Sequence, residues 1–379
     1  MKRFLALTLA LLLLPALPGG KAEEGRLALL SDTVLLANGP VQWMDQAERL
    51  PNGNFVFCYI ADRDADPVFG MYALWVTLVS PERNVLWGQH WGDYSEDTLF
   101  ASGDSWQFVI DEGSFTREWY WEPSWDRRSW AQWDWDGGLI SGSREAETLS
   151  DGEKRLVTNL YPFRMEDYCF GTEESSPAVR NHGKLIYLPD GTEAECPMGH
   201  YFQVNETVYG VSGPDGEPLV LRRYDQACRE TLALTLPLME NEYVQAILPG
   251  TEGPILIFQR QKAVSADAWQ ETRRAFALRD DVLVPLPWKQ ERLIDESLSS
   301  YQDPLLFTDG GVICHAYRWA EMQQADSRLV FIDGQGNETL LTDLKLNAQY
   351  VHADAGKITV LGLDPKDREI HLQTYLWQP

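Results

Sequence analysis

A Gly-containing turn followed by a short alternating apolar run returns about seven times along this chain, at intervals of roughly 41 to 60 residues. The runs are Asn54–Ile60 after Pro51-Asn52-Gly53, Trp106–Ile110 after Ser102-Gly103-Asp104, Asp167–Phe170, Thr207–Val211, Pro254–Phe258 after Gly250 and Gly253, Val312–Tyr317 after Asp309-Gly310-Gly311, and Lys357–Leu361 after Gly356. A unit of this size cannot bury its own apolar face, so successive units must stack on one another. The rhythm fixes architecture far better than activity.

A second hairpin signal interleaves with the first. Strand-like runs flank polar turns in Ala73–Val79/Asn84–Trp87, Lys184–Leu188/Thr192–Cys196, Leu219–Tyr224/Thr231–Leu236, Arg274–Leu278/Val282–Leu286 and Leu329–Ile332/Glu338–Leu341. Gly, Asp and Pro in these turns supply the backbone angles that tight hairpins need. Each repeat therefore offers two hairpins, or four antiparallel strands.

The first residues stand outside this pattern. Lys2-Arg3, the apolar Phe4–Leu17 and the small residues of Gly20-Lys21-Ala22 read as a secretory signal peptide spanning 1–22. A membrane anchor competes, but Pro15 and Pro18 break a stretch already short for a spanning helix. Removing the first 22 of 379 residues leaves 357, or about 51 per repeat over seven repeats. No Pro/Ser/Gly-rich linker divides 23–379, which is expected to be one domain outside the cytoplasm.

The last repeat ends with Lys357–Leu363 and Arg368–Trp377, leaving its fourth strand missing, while the orphan run Arg26–Leu36 precedes the first full repeat. If that run supplies the missing strand, a ring of sheets is sealed and its edges are hidden. The period, the hairpins and the split last repeat resemble the β-propeller superfamily in general. The resemblance implies an all-β, seven-bladed propeller closed by its N-terminal strand, with six or eight blades as neighbouring counts. The sequence carries no WD series, Asp-box or kelch Gly-Gly pair, so it carries no family's functional residues. Helix signal is confined to Ser265–Ala277, where Trp269, Arg273 and Phe276 have helical spacing; a short helix or ordered loop is expected there, and a polar loop at Glu321–Ser327. The expected core includes Phe57, Phe108, Val109, Ile257, Phe258, Ile313 and Val360.

Formal charge is −25, and loss of the leader's Lys2, Arg3 and Lys21 takes it to −28. A field of that sign repels nucleic acid and anionic membranes, so neither is an expected partner. Five cysteines are too few and too odd for a full disulfide framework. Cys58 and Cys314 read as core residues, and Cys169–Cys196 as a candidate bridge within one repeat.

Tryptophans crowd the second repeat at Trp119, Trp121, Trp125, Trp130, Trp133 and Trp135. Most suit packing between blades, and Trp121, Trp125 and Trp130, around the loop near Pro123–Arg128, are the candidate ligand-binding residues. Asp62-Arg63-Asp64-Ala65-Asp66 opens like a calcium loop but meets Pro67 where Gly belongs and Ala73 where a bidentate Glu belongs. Six histidines form no metal spacing, and neither metal nor cofactor is expected. His352 and Asp354 stand where they could face a central channel. No nucleophile elbow or phosphate loop is present, and no catalytic residue is assigned. Two functions remain open: a secreted, monomeric, non-catalytic module binding a carbohydrate or a protein through its face loops, or an exported carbohydrate-active hydrolase or lyase using channel-facing carboxylates.

Overall fold

The computed structural model describes residues 26–37, 39–62, 71–95, 104–111, 114–121, 126–143, 156–158, 168–173, 182–197, 199–213, 218–250, 253–265, 268–295, 301–308, 310–320, 323–354 and 356–378. These residues form strands and turns only, beginning with β1 (Arg26–Leu35). A first sheet follows, of β2 (Val41–Arg49), β3 (Phe55–Asp62), β4 (Met71–Val79) and β5 (Val85–Ser95). The second holds β6 (Asp104–Asp111), β7 (Ser114–Trp121), β8 (Asp126–Asp134) and β9 (Leu139–Ser143), and the third β10 (Leu156–Thr158), β11 (Tyr168–Glu173), β12 (His182–Tyr187) and β13 (Thr192–Pro197). The fourth holds β14 (His200–Val204), β15 (Thr207–Ser212), β16 (Val220–Tyr224) and β17 (Glu230–Thr235), and the fifth β18 (Glu242–Leu248), β19 (Ile255–Ala263), β20 (Ala268–Arg279) and β21 (Val282–Asp295). The sixth holds β22 (Tyr301–Thr308), β23 (Gly311–Ala320), β24 (Gln323–Asp333) and β25 (Glu338–Asp343). In the last, β26 (Asn347–Asp354), β27 (Lys357–Asp364) and β28 (Glu369–Gln378) are joined by β1, in the order β1-β28-β27-β26.

This is a β-propeller. For six pairs of sheets, the first strand of one touches the first strand of the other: β2 with β6, β6 with β10, β14 with β18, β18 with β22, β22 with β26, and β26 with β2. The apolar clusters lie between sheets. Val56 and Val76 of the first pack with Phe115 and Trp133 of the second. Ile257 and Ala275 of the fifth pack with Val312 and Val330 of the sixth. Phe57 and Tyr59 of the first pack with Leu361 and Leu372 of the last, and with Leu35 of β1. Strands covered on both faces read as continuous apolar runs, as in Ile255–Phe258, where Ile257 faces the sixth sheet and Leu256 and Phe258 the fourth. Phe57, Ile257, Phe258, Ile313 and Val360 are buried as expected; the side chains of Phe108 and Val109 lie outside the described residues.

One five-residue turn recurs between third and fourth strands. Asp134, Asp225 and Asp333 each open such a turn, and each Oδ1 accepts the N–H groups two and four residues on, at 2.6–3.0 Å. The fourth residue takes positive φ: Gly137 (91°), Cys228 (54°) and Gly336 (85°). At Gly137 a side chain would also collide with the Trp87 indole of the neighbouring sheet, so only Gly fits. Hydrogen bonds from Arg229 and from Asn337 hold the Asp225 and Asp333 carboxyls below the usual carboxylate range.

Two arginines join the chain's ends. Arg83, with φ of 72° in the β4–β5 turn, donates to Thr33 Oγ1 of β1 at 3.2 Å and to Thr374 Oγ1 of β28 at 2.5 Å. Arg368 holds Val41 by two bonds: the Val41 N–H donates to its carbonyl at 3.1 Å, and its side-chain Nε donates to Val41 O at 3.2 Å. Asp32 of β1 meets His371 Nδ1 at 2.9 Å and accepts from Gln373 Nε2 at 3.0 Å.

Four expectations change. The described residues of Ser265–Ala277 form no helix: from Ala268 they belong to β20, paired from Ala277 to Trp269 with β19. Most of Glu321–Ser327 is no loop but the start of β24, where the β23–β24 hairpin runs past the core and the exposed Arg318 pairs with Asp326. Trp106–Ile110 falls on β6, the first strand of its sheet, while the six other runs fall on second strands; its true counterpart is β7. Cys196 is a free thiol, not half of a bridge.

Cys58, Cys196, Cys228 and Cys314 are all buried thiols outside any disulfide. Burial pushes Cys196 and Cys228 up to about 11 and Cys314 up to about 12. In the unfolded chain thiols ionise near about 8.5. Stability from keeping them neutral is therefore complete below that value and is lost as pH rises toward the folded pKa values. Under reducing conditions, Tm is expected to fall between pH 8 and pH 10.5, and Cys314→Ala to flatten that fall. An equal fall in the variant removes the Cys314 contribution.

Candidate functional site

Chain reversal gives each sheet two different ends. The connections from first to second and from third to fourth strand lie at one end, here the turn end. Those from second to third strand, and from one sheet's last strand to the next sheet's first, lie at the other, the loop end. Trp121 closes β7 and pairs with Asp126 of β8, and Trp130 pairs with Glu118, so the connection carrying Trp125 is at the loop end. Trp125 and the side chains of Trp121 and Trp130 lie outside the described residues, as does the acidic stretch beyond Asp62. Trp133 is core, its ring centroid 5.3 Å from Phe115 and 5.5 Å from Trp87. Trp135 is half-buried and its Nε1 donates to Ser114 O at 3.0 Å. His352 lies half-buried beside Tyr350 on β26 and Asp354 is exposed near the turn end.

Two aromatic side chains that sequence reasoning missed stand at the loop end, where the neighbouring first strands β18 and β22 begin. Tyr243 is 43% exposed and Tyr301 49% exposed. Tyr301 pairs across the strands with Tyr317, and their rings stack at 5.6 Å and 21°. Tyr317 stacks in turn on His315 at 4.8 Å and 27°. Three rings thus run from an open face to a buried imidazole, which holds Tyr301 with little rotamer freedom left to lose. Burial, and then the Glu271 carboxylate, push the Tyr243 phenol up, against the opposing pull of Arg273. Gln245 Nε2 of β18 donates to Gln302 O of β22 at 3.1 Å and ties the two strands together. The signal that marks both tyrosines is positional: each opens, or nearly opens, the run after an inter-sheet connection.

Behind the rim lies a buried polar layer between the fifth and sixth sheets. Glu271 and Arg273 of β20 are each 2% exposed. Glu271 Oε1 is 3.0 Å from Arg273 Nε and accepts from Arg292 Nε at 2.6 Å; Oε2 accepts from Gln259 Nε2 at 2.7 Å. Arg273 Nε also donates to Gln259 Oε1 at 3.2 Å, and Nη2 to Gln302 O at 2.9 Å. Gln290 Nε2 donates to Gln302 Oε1 at 3.1 Å, and Gln302 Nε2 to Glu338 at 2.6 Å. Burial pulls the Arg273 pKa down and Glu271 opposes that pull. The layer satisfies its own charges, so it serves as a rigid support whose groups are already engaged.

Among the described residues no cluster of His, Cys, Asp and Glu could hold a metal ion, and no helix is long and apolar enough to cross a membrane. No family model matches the chain, and no curated protein matches its sequence. Solved structures similar to it include the β-propeller domain of the Trilobed protease from Pyrococcus furiosus, 7% identical over 90% of this chain and 94% of that one, with a TM-score of 0.43. The protein lmo1340 of Listeria monocytogenes is 10% identical over 89% and 96%, with a TM-score of 0.40. TolB of Acinetobacter baumannii is 11% identical over 86% and 83%, with a TM-score of 0.31. Identities this low transfer no activity from those proteins to this chain.

Proposed function

We propose that residues 23–379 are one exported domain, a ring of seven blades sealed by β1, which works as a monomeric, non-catalytic binding module for a carbohydrate at its loop end. The ring reading is supported by the contact of β26 with β2 and by the cluster that joins Leu35, Phe57 and Leu372. Export is supported by the leader at 1–22. The acidic charge of −25 weighs against nucleic acid and anionic membranes as partners.

The observation that carries the ligand reading is the pair Tyr243 and Tyr301, half-exposed on adjacent first strands. Sugar rings stack on flat aromatic faces, and a face already fixed by Tyr317 and His315 loses little entropy on binding. Trp125, on a connection at the same end, is the further contact residue expected from the sequence.

A glycan array tests this. The strongest glycan is expected to bind Tyr301→Ala and Tyr243→Ala about five- to tenfold more weakly, as loss of roughly 1 kcal/mol of stacking implies, and Trp125→Ala more weakly than the unaltered chain. Equal binding by the tyrosine variants removes the rim as the site. An array with no signal removes the carbohydrate reading, and release of new reducing ends replaces it with the hydrolase.

A further inference from the structure

The turn end carries a surface of different character, on the outer strands of the first and second sheets. β5 and β9 both begin there. β9 follows the five-residue Asp134 turn, and β5 follows the same turn with Ser80 in the Asp position: the Ser80 N–H donates to Asn84 O at 2.9 Å, and Ser80 Oγ accepts the Asn84 N–H at 3.3 Å. The fold thus supplies its own control. The two residues after this turn are Glu230-Thr231 in the fourth sheet and Glu338-Thr339 in the sixth, all exposed and polar. In the first and second sheets they are Val85-Leu86 and Leu139-Ile140, which are 38–62% exposed. Four apolar side chains therefore face water where the same turn elsewhere presents Glu and Thr. The two strands start side by side, since Gly137 lies against the indole of Trp87, the residue after Leu86. Arg83 ties this corner to β1, where Leu29 and Leu30 are exposed as well. All three strands are bulged here: Leu86, Ile140 and Leu30 are extra residues without a partner in the adjacent strand. A bulge interrupts the edge that an added strand would need, so this surface offers side chains rather than backbone.

We propose that this surface holds an amphipathic helix of a partner protein, with the helix's apolar stripe on Val85, Leu86, Leu139 and Ile140 and lysines or arginines along its flanks. Adjoining exposed apolar side chains mark an interaction site. A surface closed to strand addition is read through side chains, which suits the apolar face of a helix. Charge sets the flanks. The two turns carry Glu82, Asp134 and Asp136 beside Arg83, and the Arg83 guanidinium is already held by Thr33 and Thr374. Basic residues on the partner complement those acids. A second copy of this chain, or an anionic membrane, would meet them with its own negative charge, in keeping with a monomer. The surface stands at the opposite end from the tyrosine rim, so its failure and that of the carbohydrate reading are independent.

Fluorescence anisotropy on the full chain tests this, with two labelled helical peptides of one amphipathic pattern, one of leucine and lysine, the other of leucine and glutamate. The lysine peptide is expected to bind about tenfold more tightly than the glutamate peptide. A fourfold variant, Val85→Glu, Leu86→Thr, Leu139→Glu and Ile140→Thr, takes the residues that the fourth and sixth sheets carry at these positions. It should keep its Tm and bind the lysine peptide about tenfold more weakly, although its added carboxylates would strengthen a purely electrostatic contact. Leu139→Ala with Ile140→Ala, a smaller change, should weaken binding in the same direction. Undiminished binding by both variants, equal binding of the two peptides, or no binding of either overturns the surface. So does a dimer in sedimentation that the fourfold variant dissociates, which assigns the surface to a second copy. Tighter binding to phosphatidylcholine vesicles than to the lysine peptide also overturns it and assigns the surface to lipid.

Discussion

Arg273→Ala is expected to destabilise the protein by about 3–5 kcal/mol, the cost of breaking a buried ion pair from one side. Arg273 and Glu271 are both 2% exposed, so water cannot replace the lost guanidinium. The substitution strips the Gln302 carbonyl of a 2.9 Å donor and leaves Glu271 with Arg292, Gln259 and the longer 3.5 Å bond from Gln261. Glu271→Ala should cost a similar amount, by leaving two guanidiniums facing each other. The double variant should lose much less than the sum, because the buried pair is removed as a unit and only the more exposed Arg292 loses its 2.6 Å bond to Glu271. Urea unfolding of the four proteins measures this. Additive losses, or losses below about 1 kcal/mol for the single variants, are the values of exposed pairs and contradict a sealed polar layer.

Removal of residues 26–36 is expected to cost more still. It takes Leu35 from a cluster shared by the first and last sheets, a change in the range of about 2–5 kcal/mol for a buried leucine. It also unpairs β28 from Arg26↔Gln378 to Leu35↔Ile370, at about 0.5–1.5 kcal/mol for each hydrogen bond lost, and takes Thr33 from Arg83. The shortened chain should aggregate or unfold near room temperature, since β28 becomes an open edge. A synthetic peptide of residues 26–36 added in trans should restore the lost Tm, and a scrambled peptide should not. A shortened chain as stable as the full one contradicts a structural role for β1.

Strands were legible wherever one or both faces are apolar, as at Phe55–Ile60 and Lys357–Leu361. The pairing of the two termini was legible because an orphan strand and a missing strand are complementary, and β1 does pair with β28. β20 was misread because its alternation is carried by Glu271 and Arg273 as well as Ala275 and Ala277, all buried. An apolar pattern does not register charged residues that a partner sheet conceals. The start of β24 was misread for the opposite reason: its hairpin outruns the core, so neither face needs to be apolar. The period slipped at Trp106 because first and second strands of that sheet are both aromatic. The tyrosine rim and the turn-end apolar surface depend on which strands become neighbours, which local sequence does not encode. The tryptophan loop was a local signal, and its test remains the Trp125→Ala comparison.

The proposed sealing of the ring by β1 is tested most directly by disulfide trapping with Ala28→Cys and Leu376→Cys, residues that face each other in the β1–β28 register. The account predicts near-complete oxidation between the two introduced thiols in dilute, monomeric protein, with Tm equal to or above that of the unaltered chain. Absence of that cross-link, or its appearance only between separate molecules, contradicts it.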